Sequence, residues 1–248
     1  MPHLTTPDEI NRINMLLGFG IRPMITIPPE DFINSEFSGI ELHDFIRAVM
    51  TILMPMTSMP LNKFIALDGT WEPEMTISCI SEDYRDMING LLFQRTFVKT
   101  SSGLKVKHDY LVLPYKFRHK GHAKRILGIC LQQYVHMNVK IIYVHAGFQN
   151  GGYAWARAGF KAIDRKQVNK ILVNAARVLI PDEYIVVKAI YDGYFNDFAN
   201  GPDYREFPIE AWARLTFGKK FLDGSDWEGE IDLTNIIEFT KFNNYVNG

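Results

Sequence analysis

Tyr110-Leu-Val-Leu-Pro-Tyr-Lys-Phe-Arg-His-Lys-Gly-His-Ala-Lys-Arg-Ile-Leu127 is the stretch on which the fold turns. It closes Leu104–Leu113, which reads as a strand stopped by Pro114. A basic turn containing Gly121 follows, and then a helix begins. Ala123, Ile126, Leu127, Cys130, Leu131 and Tyr134 recur at i, i+3, i+4, i+7 spacing, which predicts one long amphipathic helix over His119–Met137. Val139–Ala146 reads as a buried strand, and Gly151–Ala158 as a short helix of small residues ended by Gly159. Strand, long helix, strand, short helix is a β-α-β unit with a parallel crossover.

The turn has its own chemistry. Backbone N–H groups in a helix's first turn lack internal acceptors and sit at the positive end of the macrodipole. A pyrophosphate is a natural guest of such a turn. Gly121 allows close backbone approach, and Ala123 keeps the helix start uncluttered. Lys116, Arg118, Lys120, Lys124 and Arg125 add five cations between Tyr115 and Arg125, with no acid among them.

Upstream, Thr6-Pro7-Asp8-Glu9 offers a helix cap with Pro at the first helical position, and Gly18 and Gly20 end that helix. A segment with Pro23, Pro28 and Pro29 precedes an apolar helix over Glu41–Met54. Lys63–Asp68 and Glu74–Ser81 read as strands. Leu91–Thr100 and Leu104–Leu113 read as a hairpin joined by Ser101-Ser102-Gly103. Downstream, the patterns predict a helix over Val168–Val178, a strand over Tyr184–Tyr191, a helix over Pro208–Phe217 and an irregular end. The acidic run Asp223, Asp226, Glu228, Glu230 and Asp232 reads as a solvated loop.

Composition bounds the partners. The 248 residues carry 27 Lys plus Arg against 28 Asp plus Glu, a net charge of −1, which disfavours nucleic acid binding over the whole surface. The basic run lacks the interleaved aromatics of a stacking platform. Two cysteines, Cys79 and Cys130, fall in apolar patterns, exclude a four-thiolate zinc site, and suit a reducing compartment. His119 and His122 belong with the phosphate turn rather than with a metal, and no motif favours a metal. No leader or spanning segment stands out, so the expectation is a cytoplasmic protein without a membrane partner.

Arg118-His119-Lys120-Gly121-His122-Ala123 resembles the acetyl-CoA signature of the GNAT acetyltransferase superfamily, Arg/Gln-x-x-Gly-x-Gly/Ala, and stands between the strand and helix that the signature requires. A second similarity follows about 30 residues on: a strand, Asn150 near the start of a short helix, and Gly159-Phe160 at its end. The resemblance spans Lys63–Tyr191. It implies an α+β fold with a GNAT-like mixed, mostly antiparallel twisted sheet, flanked by helices and splayed at its central strands. Residues 1–60 would form an N-terminal helical extension, 61–195 the acyl-CoA-binding core, and 196–248 a C-terminal addition.

It further implies an acyl-CoA-dependent N-acyltransferase that moves acetyl from acetyl-CoA to an unidentified amine by direct attack. The diphosphate would rest on His119, Lys120, Gly121, His122 and Ala123, with Arg118, Lys124 and Asn150 contributing, while Leu111, Val112 and Leu113 flank the thioester. Asp109, nine residues before Arg118, is the first candidate base, and His108, on the opposite strand face, the second. Either also reads as a structural residue. Trp155 occupies the position of the family's usual acidic tyrosine, and Tyr153 lies two residues earlier. Both also read as packing aromatics. A catalytically silent CoA-binding or interaction module on the same scaffold is the alternative.

Overall fold

The computed structural model describes residues 3–86, 88–196 and 206–248. The architecture is α+β: mixed, mostly antiparallel strands flanked by helices and preceded by an N-terminal helix. This is consistent with the GNAT-like fold that the motifs imply. The chain groups into two compact units, 1–142 with 246–248, and 143–245.

In the first unit, α1 (Pro7–Leu17) starts where Thr6 accepts a hydrogen bond from the Glu9 N–H at 3.2 Å, and it ends at Gly18, whose φ is +69°. The capping hydroxyl satisfies one of the helix's orphan donors. Next come β1 (Gly20–Met24), α2 (Pro29–Glu36) and α3 (Leu42–Leu53). β2 (Leu61–Asp68), β3 (Glu74–Ser81), β4 (Leu92–Thr100) and β5 (Gly103–Val112) form an antiparallel meander, and β1 pairs parallel to β2 at its edge. β4 and β5 are joined by Ser101-Ser102 alone, because Gly103 already pairs with Thr100. The helix after the basic turn, α4 (His122–His136), begins three residues later than the periodicity predicts.

Alternation sorts the sheet into two faces. Ile65, Leu67, Met75, Ile77, Cys79, Phe93, Phe97 and Val106 are buried on one. α3 and α4 cover it: Phe45 meets the Phe97 ring at 6.5 Å between centroids, and Tyr134 meets it at 5.9 Å. Each such ring, fully buried, contributes on the order of 2–3 kcal/mol. On the other face, Arg22, Ala66, Thr76, Thr96 and Lys107 stand in one row across all five strands.

The second unit contains β6 (Ile141–Ala146, which begins two residues before the boundary), α5 (Phe148–Arg157), β7 (Lys161–Ala162), α6 (Arg165–Val178), α7 (Pro181–Asn196), α8 (Glu210–Ala213), α9 (Lys219–Leu222), β8 (Trp227–Asp232) and α10 (Ile236–Asn247, whose last two residues lie past the boundary). Its strands run in the order β6-β8-β7.

Several expectations for this unit are corrected. Tyr184–Tyr191 is not a strand but the middle of α7, which starts with Pro181 followed by Asp182 and Glu183. Val187 and Phe195 are buried eight residues apart, with Tyr191 half-buried between them, so the packed stripe has helical period and overrides the β-branched run Ile185-Val186-Val187. The helix expected over Pro208–Phe217 shrinks to Glu210–Ala213. A Cβ at Gly218 would lie 2.2 Å from the Trp212 carbonyl, so the chain folds tightly back on itself there. The end is not irregular, because β8 and α10 occupy it. The acidic run is likewise no solvated loop throughout: Trp227, Gly229 and Ile231 are buried along β8, and Glu228, Glu230 and Asp232 alternate with them.

Candidate functional site

The site is built from β5, the turn after it and the first turn of α4. Near the middle of β5 the register with β4 slips: Lys107 pairs with Thr96 and Tyr110 with Gln94, so His108 and Asp109 together oppose the single residue Arg95. This is a β-bulge, a device that re-aims side chains. His108 faces the core, is 2% exposed, and shares a 2.9 Å hydrogen bond between Nε2 and the Tyr134 hydroxyl. Burial, and then the Arg95 cation, hold its pKa well below the usual histidine value. Asp109 lies on the open face. The Thr96 hydroxyl donates to its Oδ2 at 2.8 Å, and Thr76 and Thr96 are joined at 2.9 Å. A hydroxyl has one proton to give, so Thr76 donates to Thr96 and Thr96 to Asp109. Burial pushes the Asp109 carboxyl up, and the Thr96 bond with the Arg95 and Lys107 charges offsets part of that. Of the two candidate bases, Asp109 is the one set among polar groups on the open face, with a pKa shifted toward neutrality as a base requires.

Beyond the bulge, Leu111 and Val112 are half-buried and Leu113 is buried. The Leu113 carbonyl accepts a 2.8 Å hydrogen bond from Arg118 Nε. The first arginine of the signature therefore braces the turn from within. Tyr115–Phe117 form a single 3-10 turn, and then His119 and Gly121 adopt φ of +60° and +78°. Left-handed residues in a tight turn direct successive N–H groups into one concavity. For His119 the conformation is costly, as it is for any residue with a Cβ. α4 then starts with no side-chain cap bond and no acid in its first turn. A Cβ built on Gly121 would meet nothing within 4 Å, so space lies in front of the helix start. Lys120 and Ala123 are exposed, Lys124 is half-buried, and the His122 ring packs edge-on against Phe117 at 5.8 Å. Uncapped amides, positive dipole, surrounding lysines and free space together fit a diphosphate.

Arg95 is a residue the sequence reading passes over. It is fully buried, and its Nη1 donates to the carbonyls of Gln94 at 2.7 Å and Tyr110 at 2.8 Å, pinning both strands at the bulge. Its only signal in the sequence is a cation between Phe93 and Phe97 on an apolar strand face.

In the second unit, Tyr153 is half-buried on α5. Trp155, on the same helix, packs edge-on against Phe160 at 5.2 Å. Asn150 lies at the start of α5, with its side chain outside the described part of the structure. Glu230 of β8 is half-buried beside Glu206, and burial with that neighbouring charge pushes its carboxyl up to about 7. Lys161 pairs with Glu206 and, at 2.9 Å, with Glu238. Among the described residues, no three His, Cys, Asp or Glu side chains gather as a metal site, and no helix is long and apolar enough to cross a membrane.

No family model, no curated protein and no solved structure matches the chain.

Proposed function

We propose that the protein is an acyl-CoA-dependent N-acyltransferase, with acetyl-CoA as the donor and an amine as the acceptor. The observation that carries the reading is the start of α4: an uncapped, acid-free helix terminus with left-handed His119 and Gly121 ahead of it and open space before it. The amides from His119 to Ala123 would hold the diphosphate, with Lys120 and Lys124 beside it. Leu111, Val112 and Leu113 would flank the thioester. The acceptor nitrogen attacks the thioester carbonyl, an N–C bond forms, and the C–S bond breaks. The amine proton passes to Asp109, and the thiolate leaves as CoA and takes a proton from water. The enzyme's share of the work is orientation and proton removal. The two buried free thiols, Cys79 and Cys130, suit a reducing, cytoplasmic setting.

One observation favours a second reading. Trp155 supplies no acidic proton and is occupied in packing on Phe160, as a silent CoA-binding module would tolerate. Free-thiol release from acetyl-CoA over a panel of amines, run beside acetyl-CoA titration, separates the two. Saturable binding with turnover on an amine supports the transferase. Binding without turnover on any acceptor supports the silent module, and no binding overturns both.

A further inference from the structure

We infer that the hollow on the open face of β1–β3 is the acceptor site, and that it takes a diamino acid, a molecule with one carboxylate and two amines on an aliphatic chain. This rests on the acyl-transfer reading above. The hollow exists because Ala66, the smallest side chain in the Arg22–Ala66–Thr76–Thr96–Lys107 row, leaves a cavity of about 370 Å³. Arg22, Phe64, Asp68, Glu74 and Thr76 are among the residues that line it.

Its charges are arranged for a ligand carrying both signs. Arg22 lies over the Phe64 ring at 3.8 Å and donates to Asn62 at 3.4 Å, which uses one of its five N–H donors. A planar guanidinium stacked in this way suits a carboxylate. Asp68 and Glu74 are direct cross-strand partners. Like charges placed opposite each other destabilise a sheet, and a ligand ammonium between them would relieve that. Asp68 is held ionised by the Thr70 N–H at 2.8 Å and the Thr70 hydroxyl at 2.7 Å, and Glu74 pairs with Lys107 at 3.0 Å.

The hydroxyl ladder Thr76–Thr96 then leads from the hollow to Asp109. Glu74 and Asp109 are two strands and about three residues of register apart, roughly 14 Å between backbones. Their carboxylates both lean onto the cross-strand pair Lys107 and Thr96, and a four- or five-carbon chain with a hydrogen bond at each end bridges the gap that remains. Arg22, Lys105 and Lys107 stand with Asp68, Glu74 and Asp109 on this face, so a ligand that carries both signs meets partners of both signs. Its carboxylate goes to Arg22, its α-ammonium to Asp68 and Glu74, and its distal amine to Asp109.

The test needs no thioester. The full chain is titrated with L-lysine and L-ornithine, with 1,5-diaminopentane (no carboxylate) and with norleucine (no second amine), following amide chemical shifts. Lysine or ornithine should saturate at millimolar concentration, and both analogues should bind at least tenfold more weakly. Arg22→Gln should weaken lysine about tenfold and leave the diamine unchanged, while Glu74→Gln should weaken both. Absence of saturable lysine and ornithine binding, equal binding of the diamine, or lysine binding unaltered by both substitutions would each overturn the proposal. Acetyl-CoA is titrated separately. Its binding without diamino-acid binding sinks this assignment and leaves acyl transfer standing, whereas the reverse keeps the hollow as a binding site and removes the transfer reading.

Discussion

His108 and Asp109 are neighbours in the chain and live in opposite worlds. The bulge opposite Arg95 turns one into the core, against Tyr134, and leaves the other on the open face, bonded to Thr96. Burial acts on both, yet it moves their pKa values in opposite directions, because it penalises the charged form of each: the cation of histidine and the anion of aspartate. The same contrast holds across the whole five-stranded sheet. One face is apolar and closed by α3 and α4, and the other carries rows of threonines and paired charges. A sheet of this kind keeps its stability on one side and offers chemistry on the other.

The largest expected effect tests the closed face. Phe97→Ala removes a fully buried ring between Phe45 and Tyr134 and should cost about 3–5 kcal/mol of unfolding free energy. Denaturant titration measures it, and a cost below about 1 kcal/mol would mean that this face is not the core. Asp109→Asn on the open face should do the reverse. Unfolding free energy should change little, while thiol release falls roughly 100-fold or more with acetyl-CoA affinity retained. In the wild type that rate should climb with pH through the raised carboxyl pKa and then level off.

A smaller effect comes from the pair's opposite titrations. His108 binds its proton more weakly folded than unfolded, so its contribution to stability is present above the unfolded histidine pKa and fades as pH falls below it, by up to about 1.4 kcal/mol per pH unit. Asp109 binds its proton more tightly folded, so its contribution fades instead as pH rises from the unfolded carboxyl pKa through the raised folded one. Chemical denaturation of His108→Gln at pH 7 and pH 5 should show a shallower loss on acidification than the wild type. Identical slopes would place His108 in water.

The parts of this arrangement that were legible in the sequence are those written in local pattern. Thr6-Pro7 announces α1, the strand alternation announces β3 to β5, and the stripe from Ile126 to Tyr134 announces α4. The anion turn was legible because strand, glycine and helix follow one another in order. Four features were hidden for physical reasons. β1 carries Pro23, which suits an edge strand but looks like a loop in a bare sequence. α7 carries a β-branched run whose helical packing stripe shows only in tertiary context. Arg95 and the hollow over Ala66 depend on the register of β1 through β5, which no single strand's sequence specifies.

In the proposed function the diphosphate rests on the amides that open α4. Gly121→Glu puts a carboxylate where the diphosphate would sit, at a left-handed position whose cost of about 1–2 kcal/mol is small beside a domain's usual 5–15 kcal/mol. Calorimetric titration of acetyl-CoA into the wild type and into this variant, with circular dichroism to show that both are folded, is the most direct test. Wild-type binding should saturate, and the folded variant should lose at least 100-fold in affinity. Equal affinity in the two proteins, or no wild-type binding, would contradict that placement of the diphosphate.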